Sequence, residues 1–218
     1  MPTVIALLLV SACLAQERPE LVLRNPHYFV VVGDGQTAPT ITVECRSFFS
    51  SAAGMNLEVT DPMGMPRLKL LVPVGESITR SIPGPPADLY LVSVDMGSNG
   101  VVFACDRPWA VYAGGRVGVG SNGPVPEMYL YVPQVTERFV LRVQANSPNE
   151  GGRVVLRRPD GAEAFVFDGE LDVEERAEIE VPPDCRGAAW SLTWHDPQTV
   201  PARLEDINVF VEGDLTPL

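Results

Sequence analysis

Histidine is the side chain that most often serves as a general base in hydrolases. The 218-residue chain contains two histidines, His27 and His195. A Ser-His-Asp site would need one of them beside a hydroxyl and a carboxylate, and the sequence contains no Gly-x-Ser-x-Gly elbow to present a serine. Two histidines are also too few for a histidine-rich metal centre. We therefore expect no catalytic residues, and a hydrolase is only the third alternative.

An acidic segment offers a second candidate chemistry. Asp168, Glu170, Asp172 and Glu174 occupy every second position, which on an extended strand places all four carboxylates on one side. Oxygen ligands in such a row predict a calcium site, the one cofactor we consider. An EF-hand is excluded because Val173 stands where that loop requires glycine. The alternative is a solvated strand face, or an edge strand charged against aggregation.

Aromatic residues form the third candidate site. Trp190 and Trp194 share one face of a predicted strand by alternation. Such a stripe either belongs to the core or presents flat indole rings to sugars, with Tyr129 or Tyr131 beside it. The two alternatives differ in whether the tryptophans are buried.

Three cysteines follow the apolar leader of the chain. Cys45 and Cys105 each end a predicted strand, so we expect a Cys45–Cys105 disulfide in an exported protein. Closing a loop of about 60 residues would stabilise the fold by about 4 kcal/mol on the chain-entropy model. The alternative is two buried free thiols. Cys185 is then left as a free loop thiol or an intermolecular link.

The charge of the chain restricts its partners. Lysine and arginine total 16 against 28 acidic residues, a formal net charge of −12, which argues against nucleic acid as a partner. Residues 20–113 contain 6 basic and 9 acidic residues, a net charge of −3. Residues 127–218 contain 8 basic and 18 acidic residues, a net charge of −10. The second half therefore carries most of the acidity.

The elements that would position these residues are short strands. Runs of β-branched and aromatic residues recur between Gly, Pro, Asp and Asn clusters, and no stretch keeps a helical period over three turns. The two halves also repeat: residues 61–64 correspond to 158–161, 78–83 to 177–182, and 89–94 to 189–194. We predict an all-β chain with two tandem antiparallel β-sandwich domains of jelly-roll type. Their ranges are 20–113 and 127–213, with a glycine-rich linker at 114–126.

The start of the chain predicts export. Val4 to Ala15 is apolar, too short to span a bilayer, and followed by polar residues, so we assign residues 1–15 to a signal peptide. Residues 10–13 resemble a bacterial lipobox, which gives lipid attachment at Cys13 as the alternative to free secretion. No later segment has 18 consecutive apolar residues, so we expect no transmembrane span. The predicted location is secreted, periplasmic or at the cell surface.

The second half resembles a family of accessory modules. These are the β-sandwiches, of jelly-roll or pre-peptidase C-terminal type, found in secreted bacterial hydrolases and surface proteins. The resemblance rests on strand and turn segments at 129–133, 139–143, 159–161, 179–182, 190–192 and 204–207. It implies a role in binding or spacing, and it supplies no catalytic residues. The first half of the chain has this resemblance only through the internal repeat that relates it to the second half.

Two functions from different classes follow. The first is a non-catalytic exported binding or spacer module with carbohydrate as its ligand, which predicts that Trp190 or Trp194 lies exposed on a groove. The second is a structural cell-envelope protein that contacts other proteins. That function predicts buried tryptophans, together with an exposed apolar patch or an unpaired sheet edge.

Overall fold

The structure is a computed structural model that describes residues 20–25, 27–48, 53–112 and 118–213, and the backbone of residues 7–10. Within these ranges the chain forms β-strands and one 3-10 turn, Pro183–Cys185, with no α-helix, so the all-β prediction is confirmed. The strands are β1 (Leu7–Val10), β2 (Leu23–Arg24), β3 (His27–Val32), β4 (Thr40–Arg46), β5 (Met55–Thr60), β6 (Pro66–Val72), β7 (Ser77–Ser81), β8 (Leu89–Asp95), β9 (Gly100–Cys105), β10 (Trp109–Tyr112), β11 (Val119–Asn122), β12 (Met128–Val132), β13 (Arg138–Ala145), β14 (Gly151–Arg157), β15 (Glu163–Glu170), β16 (Glu175–Glu180), β17 (Ala188–His195) and β18 (Asp206–Gly213).

The chain divides into two compact units. The N-terminal unit contains residues 21–111, and the C-terminal unit contains residues 112–218 together with β1. Strand β11 lies inside the range 114–126 that the sequence predicts as a linker, and it pairs with β18. That part of the range is therefore sheet within the C-terminal unit.

Two antiparallel layers form the N-terminal unit. The first layer has the order β10-β3-β8-β5-β6, and the second has the order β2-β9-β4-β7. Phe29 of the first layer stacks on Phe103 of the second, with ring centroids 4.2 Å apart. The apolar inward positions of both layers thus meet in one core, as in a β-sandwich.

The C-terminal unit has the same plan. Its first layer has the order β15-β14-β17-β12-β1, and its second has the order β16-β13-β18-β11. Phe139 of the second layer contacts Trp190 of the first at a centroid distance of 5.7 Å. Alternate positions of β12 and β13 are buried, since successive side chains of a strand point to opposite faces.

The internal repeat of the sequence appears in the structure as two equivalent hairpin turns. In the β5–β6 hairpin, the Gly64 amide donates to the Asp61 carbonyl at 2.9 Å. In the β14–β15 hairpin, the Gly161 amide donates to the Arg158 carbonyl at the same distance. Both glycines have positive φ, 76° and 84°. The pair of turns that the sequence aligns at an offset of about 100 residues is thus built in the same way.

The start of the chain is described only in part. Leu7–Val10 forms an antiparallel strand with β12, with Leu9 opposite Tyr129. The rest of residues 1–15, including Cys13, lies outside the described residues, so the signal peptide and the lipid attachment stay predictions. Among the described residues, no helix is long and apolar enough to cross a membrane.

Candidate functional site

The two tryptophans proposed as a sugar platform are fully buried, each with an exposed fraction of 0%. The Trp190 indole N–H donates to the Cys185 carbonyl at 2.9 Å, and that of Trp194 donates to the Ser121 hydroxyl at 2.7 Å. The prediction that one of them is exposed is therefore wrong. Alternation correctly put both on one face of β17, but that face covers the core.

The two tyrosines lie on the other side of the same layer. Tyr129 and Tyr131 occupy the outward positions of β12, where both are partly buried. They lie opposite Ser191 and Ala189 of β17. The Tyr129 hydroxyl donates to Glu127 at 2.7 Å. The predicted aromatic platform is thus divided between the two faces of one sheet.

The acidic row predicted for calcium is not an extended segment. Strand β15 ends at Glu170, and the chain bends before β16, so alternation does not continue to Asp172 and Glu174. Three of the four carboxylates have other partners: Asp168 pairs with Arg153 at 3.1 Å, Asp172 accepts the Asn149 amide at 2.7 Å, and Glu174 pairs with Arg142 at 2.6 Å. Within the described ranges, no group of three or more His, Cys, Asp or Glu residues could hold a metal ion.

The predicted Cys45–Cys105 disulfide is wrong. Strands β4 and β9 are antiparallel neighbours, with Cys45 opposite Val101 and Cys105 opposite Ile41. The two cysteines are therefore four positions apart along the sheet, about 13 Å at about 3.3 Å per residue. A disulfide needs Cα atoms within about 7 Å. Both thiols are free, Cys45 is buried, and the free Cys185 is buried as well.

The two histidines have different surroundings. His27 is buried in the N-terminal unit, 6.4 Å from the Phe29 ring between centroids. His195 is an exposed residue at the end of β17, opposite Arg153. Its ring makes no hydrogen bond to another described residue.

A different surface has the properties of a binding site, and we call it the outer face. It consists of the outward side chains of the first layer of the N-terminal unit. Val32 pairs with Leu89 across β3 and β8, and Val30 pairs with Leu91 in the next outward row. Val32, Leu89 and Leu91 have exposed fractions of 42%, 40% and 41%. Val30 is half-buried, so three of the four apolar side chains in these two adjacent rows are exposed to solvent.

Polar rows continue the outer face beyond the apolar ones. Tyr28 lies opposite Ser93, which lies opposite Glu58 and then Lys69 across four strands. The last row runs from Asp95 through Asn56 to Leu71. These rows border a hollow of about 570 Å³, a volume typical of small-ligand sites.

The charges in the hollow are mostly compensated. The Lys69 ammonium lies 3.1 Å from the Glu58 carboxylate. Asp95 accepts a hydrogen bond from the Gly97 amide at 3.3 Å. The Asn56 amide and the Tyr28 ring add hydrogen-bonding and stacking surface at the same place. This set of groups can bind a ligand through hydrogen bonds and stacking.

The sequence contained a signal for the outer face. In β8, Tyr90, Val92 and Val94 share one face and are buried. Period two then requires Leu89 and Leu91 to lie on the opposite face. The sequence of β3, which is almost entirely apolar, does not say which side is covered.

Comparisons with known proteins leave the family open. No family model matches the chain, and no curated protein matches it. Among solved structures, it is similar to an anti-sigma factor domain-containing protein at 8% identity and a TM-score of 0.26, covering 100% of this chain and 96% of that one. It is also similar to the ANX2 ectodomain from Arabidopsis thaliana at 8% identity and a TM-score of 0.25, covering 100% and 90%. Scores this low support no conclusion about fold or function.

Proposed function

We propose that this chain is a non-catalytic exported protein, built of two tandem β-sandwich domains, that contacts proteins through its outer face. The observation that carries the proposal is the pair of solvent-facing apolar rows, Val32 with Leu89 and Val30 with Leu91. Monomeric proteins rarely expose a contiguous apolar patch larger than a few hundred Å², and patches above that size mark interaction surfaces. The buried tryptophans favour this function over a tryptophan-based sugar site.

The partner that we propose is a second copy of the chain. The apolar rows carry no charged side chain, and the ion pair in the adjoining polar row, Lys69 with Glu58, has no net charge. The half of the sequence that contains the outer face has a net charge of −3, against −10 for the other half, so repulsion between two copies is smallest there. Two sheet faces can pack about 10 Å apart in a two-fold contact that joins like residues.

Sedimentation velocity across the micromolar range tests this contact. We expect a concentration-dependent dimer for the wild type. A Leu89→Ser, Leu91→Ser double variant should bind more than about 100-fold more weakly, since each dimer loses four leucines worth about 1 kcal/mol each. The matched control is Val166→Ser, which changes a 39% exposed residue of the C-terminal unit. A monomeric wild type, or a double variant that dimerises like the wild type, contradicts the proposal.

A second candidate function is favoured by the hollow beside the apolar rows. Its Tyr28 ring can stack on the apolar face of a sugar, while Asn56 and Asp95 can bond adjacent hydroxyls. This assigns the predicted carbohydrate ligand to residues of the first half instead of Trp190 and Trp194. The supporting observation is that aromatic, amide and carboxylate groups share one hollow of about 570 Å³.

Retention on cellulose, chitin and starch columns tests the sugar function separately. We expect the wild type and the Leu89→Ser, Leu91→Ser variant to be retained equally on one of these matrices. An Asn56→Ala, Asp95→Ala variant should elute early, because the two groups proposed to bond the sugar hydroxyls are removed. Retention that does not change in this variant, or no retention of the wild type on any of the three, ends the hypothesis without affecting the dimer contact.

A further inference from the structure

The hollow of the outer face contains a carboxylate that has no cationic partner. Lys69 and Glu58, which both line the hollow, form an ion pair with each other at 3.1 Å. Asp95 lines it as well, and it forms no ion pair with any residue that the structure describes. Its hydrogen-bond donor is the neutral Gly97 amide, at 3.3 Å. The net charge of the side chains that line the hollow is therefore the negative charge of Asp95.

The turn after β8 holds Asp95 at the rim of the hollow. Strand β8 ends at Asp95, whose side chain is exposed. Gly97 has φ of 58°, a left-handed conformation that glycine adopts without strain. The Asn99 amide closes the turn by donating to the Met96 carbonyl at 3.0 Å. The backbone thus sets the position from which the Asp95 carboxylate can reach a ligand.

The register of the strands places an amide and an aromatic ring next to this carboxylate. Asn56 lies directly opposite Asp95 across β5 and β8, which puts their Cβ atoms about 5 Å apart. Ser93 precedes Asp95 by two positions, about 7 Å along the strand, and lies opposite Tyr28. Tyr28 is therefore the diagonal neighbour of Asp95, at a spacing that aromatic side chains bridge. The three groups surround a patch comparable in size to one sugar ring.

We propose that the hollow selects an amino sugar, whose protonated amine pairs with Asp95. This inference rests on the sugar function proposed above and names the class of sugar. The Tyr28 ring stacks on the apolar face of the sugar, and the Asn56 amide bonds a neighbouring hydroxyl. A hydrogen bond between an ammonium and a carboxylate is stronger than one between a hydroxyl and a carboxylate. The amine is thus the substituent that gains most from the unpaired charge of Asp95.

Isothermal titration with tetramers of three 1,4-linked sugars tests this selection. The tetramers of glucosamine, N-acetylglucosamine and glucose share one backbone and differ in the group on the second ring carbon. At about pH 6 the free amine is protonated. We expect the wild type to bind the glucosamine tetramer about fivefold more tightly than the other two, which is the gain from one exposed ion pair. The preference should shrink in about 0.5 M NaCl, which screens the pair.

Charge variants assign the preference to Asp95. Asp95→Asn keeps an acceptor for the Gly97 amide and removes the charge, so it should bind the three tetramers with equal affinity. The matched control is Glu76→Gln, which removes an exposed carboxylate of the same unit outside the hollow and should keep the full preference. This control shows whether the overall charge of −12 attracts the amine. If Asp95→Asn does not fold, Asn56→Asp decides instead, because a second carboxylate opposite Asp95 should increase the preference.

Several outcomes overturn the selection of an amino sugar. Equal affinity of the wild type for the three tetramers does so and leaves the sugar function in place, as does a preference that persists in Asp95→Asn or disappears in Glu76→Gln. An unchanged preference in Asn56→Asp has the same meaning. Competition by tetralysine that is as strong as competition by the glucosamine tetramer overturns it too, because an ammonium group alone would then be enough. If the wild type binds none of the tetramers, the inference is wrong, and the retention columns decide the sugar function separately.

Discussion

The role of a single side chain in this protein depends on contacts with residues far away in the sequence. Trp194 donates to Ser121, 73 positions earlier, and this bond satisfies the indole N–H inside the core. A buried indole without an acceptor would be unfavourable. The same aromatic residue could serve a core or a sugar site, and the presence of an internal acceptor decides between them.

The cysteines give the first prediction at the residue scale. Without reductant, Cys45, Cys105 and Cys185 should all react with a thiol reagent after unfolding, because none is bonded to another. In the native protein we expect only Cys105, which is partly exposed, to react quickly. Burial raises the pKa of all three thiols, and Asp106 raises that of Cys105 further, so access to solvent and not thiolate fraction distinguishes Cys105. Mass spectrometry after alkylation measures each site, and an intact Cys45–Cys105 bridge would contradict the structure.

Asp61 gives the second prediction. Its carboxylate accepts the Met65 and Met63 amides at 2.9 Å and lies 2.8 Å from the Arg67 guanidinium. These bonds lower its pKa below the ordinary value of 3.8. The stability that Asp61 contributes is therefore present above about pH 4 and is lost as the pH falls through the lowered pKa.

Urea unfolding at pH 7 and pH 3 tests the role of Asp61. Asp61→Asn should be less stable than the wild type at pH 7, and the difference should shrink at pH 3. The control Glu76→Gln changes an exposed carboxylate in the same unit and should leave the pH dependence unchanged. A constant difference for Asp61→Asn between the two pH values would show that its charge is not the cause.

At the scale of elements, the two related hairpins show how a turn sets the register of a sheet. In the β5–β6 hairpin the register shifts between Val59 and Thr60, and in the β14–β15 hairpin it shifts between Leu156 and Arg157. Each turn then contains a glycine in the left-handed region. A turn followed by such a glycine produces a bulge and adds twist to the hairpin.

Gly161 provides the prediction for this scale. With φ of 84° it adopts a conformation that L-residues with a Cβ disfavour, so Gly161→Ala should lower the free energy of unfolding by about 1–2 kcal/mol. No atom lies within 4 Å of the added Cβ, so backbone strain alone accounts for the loss. Gly161→Asn should lower the free energy of unfolding by less than Gly161→Ala does, because asparagine tolerates the left-handed region better than alanine. If urea unfolding gave the same decrease in the free energy of unfolding for the two variants, backbone strain would not explain it.

At the scale of the whole molecule, charge and apolar surface have opposite effects on association. The net charge of −12 keeps copies of the chain apart, whereas the apolar rows of the outer face gain free energy when water is excluded. Most of the acidic residues lie in the second half of the sequence. The proposed dimer contact should therefore depend strongly on salt.

The salt dependence gives the last prediction. Raising NaCl from about 0.05 M to about 0.5 M shortens the Debye length from above 10 Å to below 5 Å and screens the repulsion between copies. We expect the dimer measured by sedimentation to become tighter, with the Leu89→Ser, Leu91→Ser variant staying monomeric. Dimerisation that weakens with salt would indicate a contact made by ion pairs, and would contradict an apolar one.

The sequence alone determined the class of structure and much of its local geometry. Alternating apolar residues and turn signals predicted the strands, and the alignment of residues 61–64 with 158–161 predicted two equivalent turns. The structure shows that both turns close with the same type of backbone hydrogen bond. These features could be predicted because they depend on neighbours a few positions apart, where period two and glycine conformation operate.

Only the tertiary structure decided which faces are covered and which distant groups meet. Period two says that Trp190 and Trp194 share a face, but the opposing layer decides that this face is buried. Antiparallel pairing of β4 with β9 separates Cys45 from Cys105, and the fold brings Ser121 to the indole N–H of Trp194. Pairing between strands remote in sequence leaves no local pattern, because its free energy arises only when the whole core is assembled.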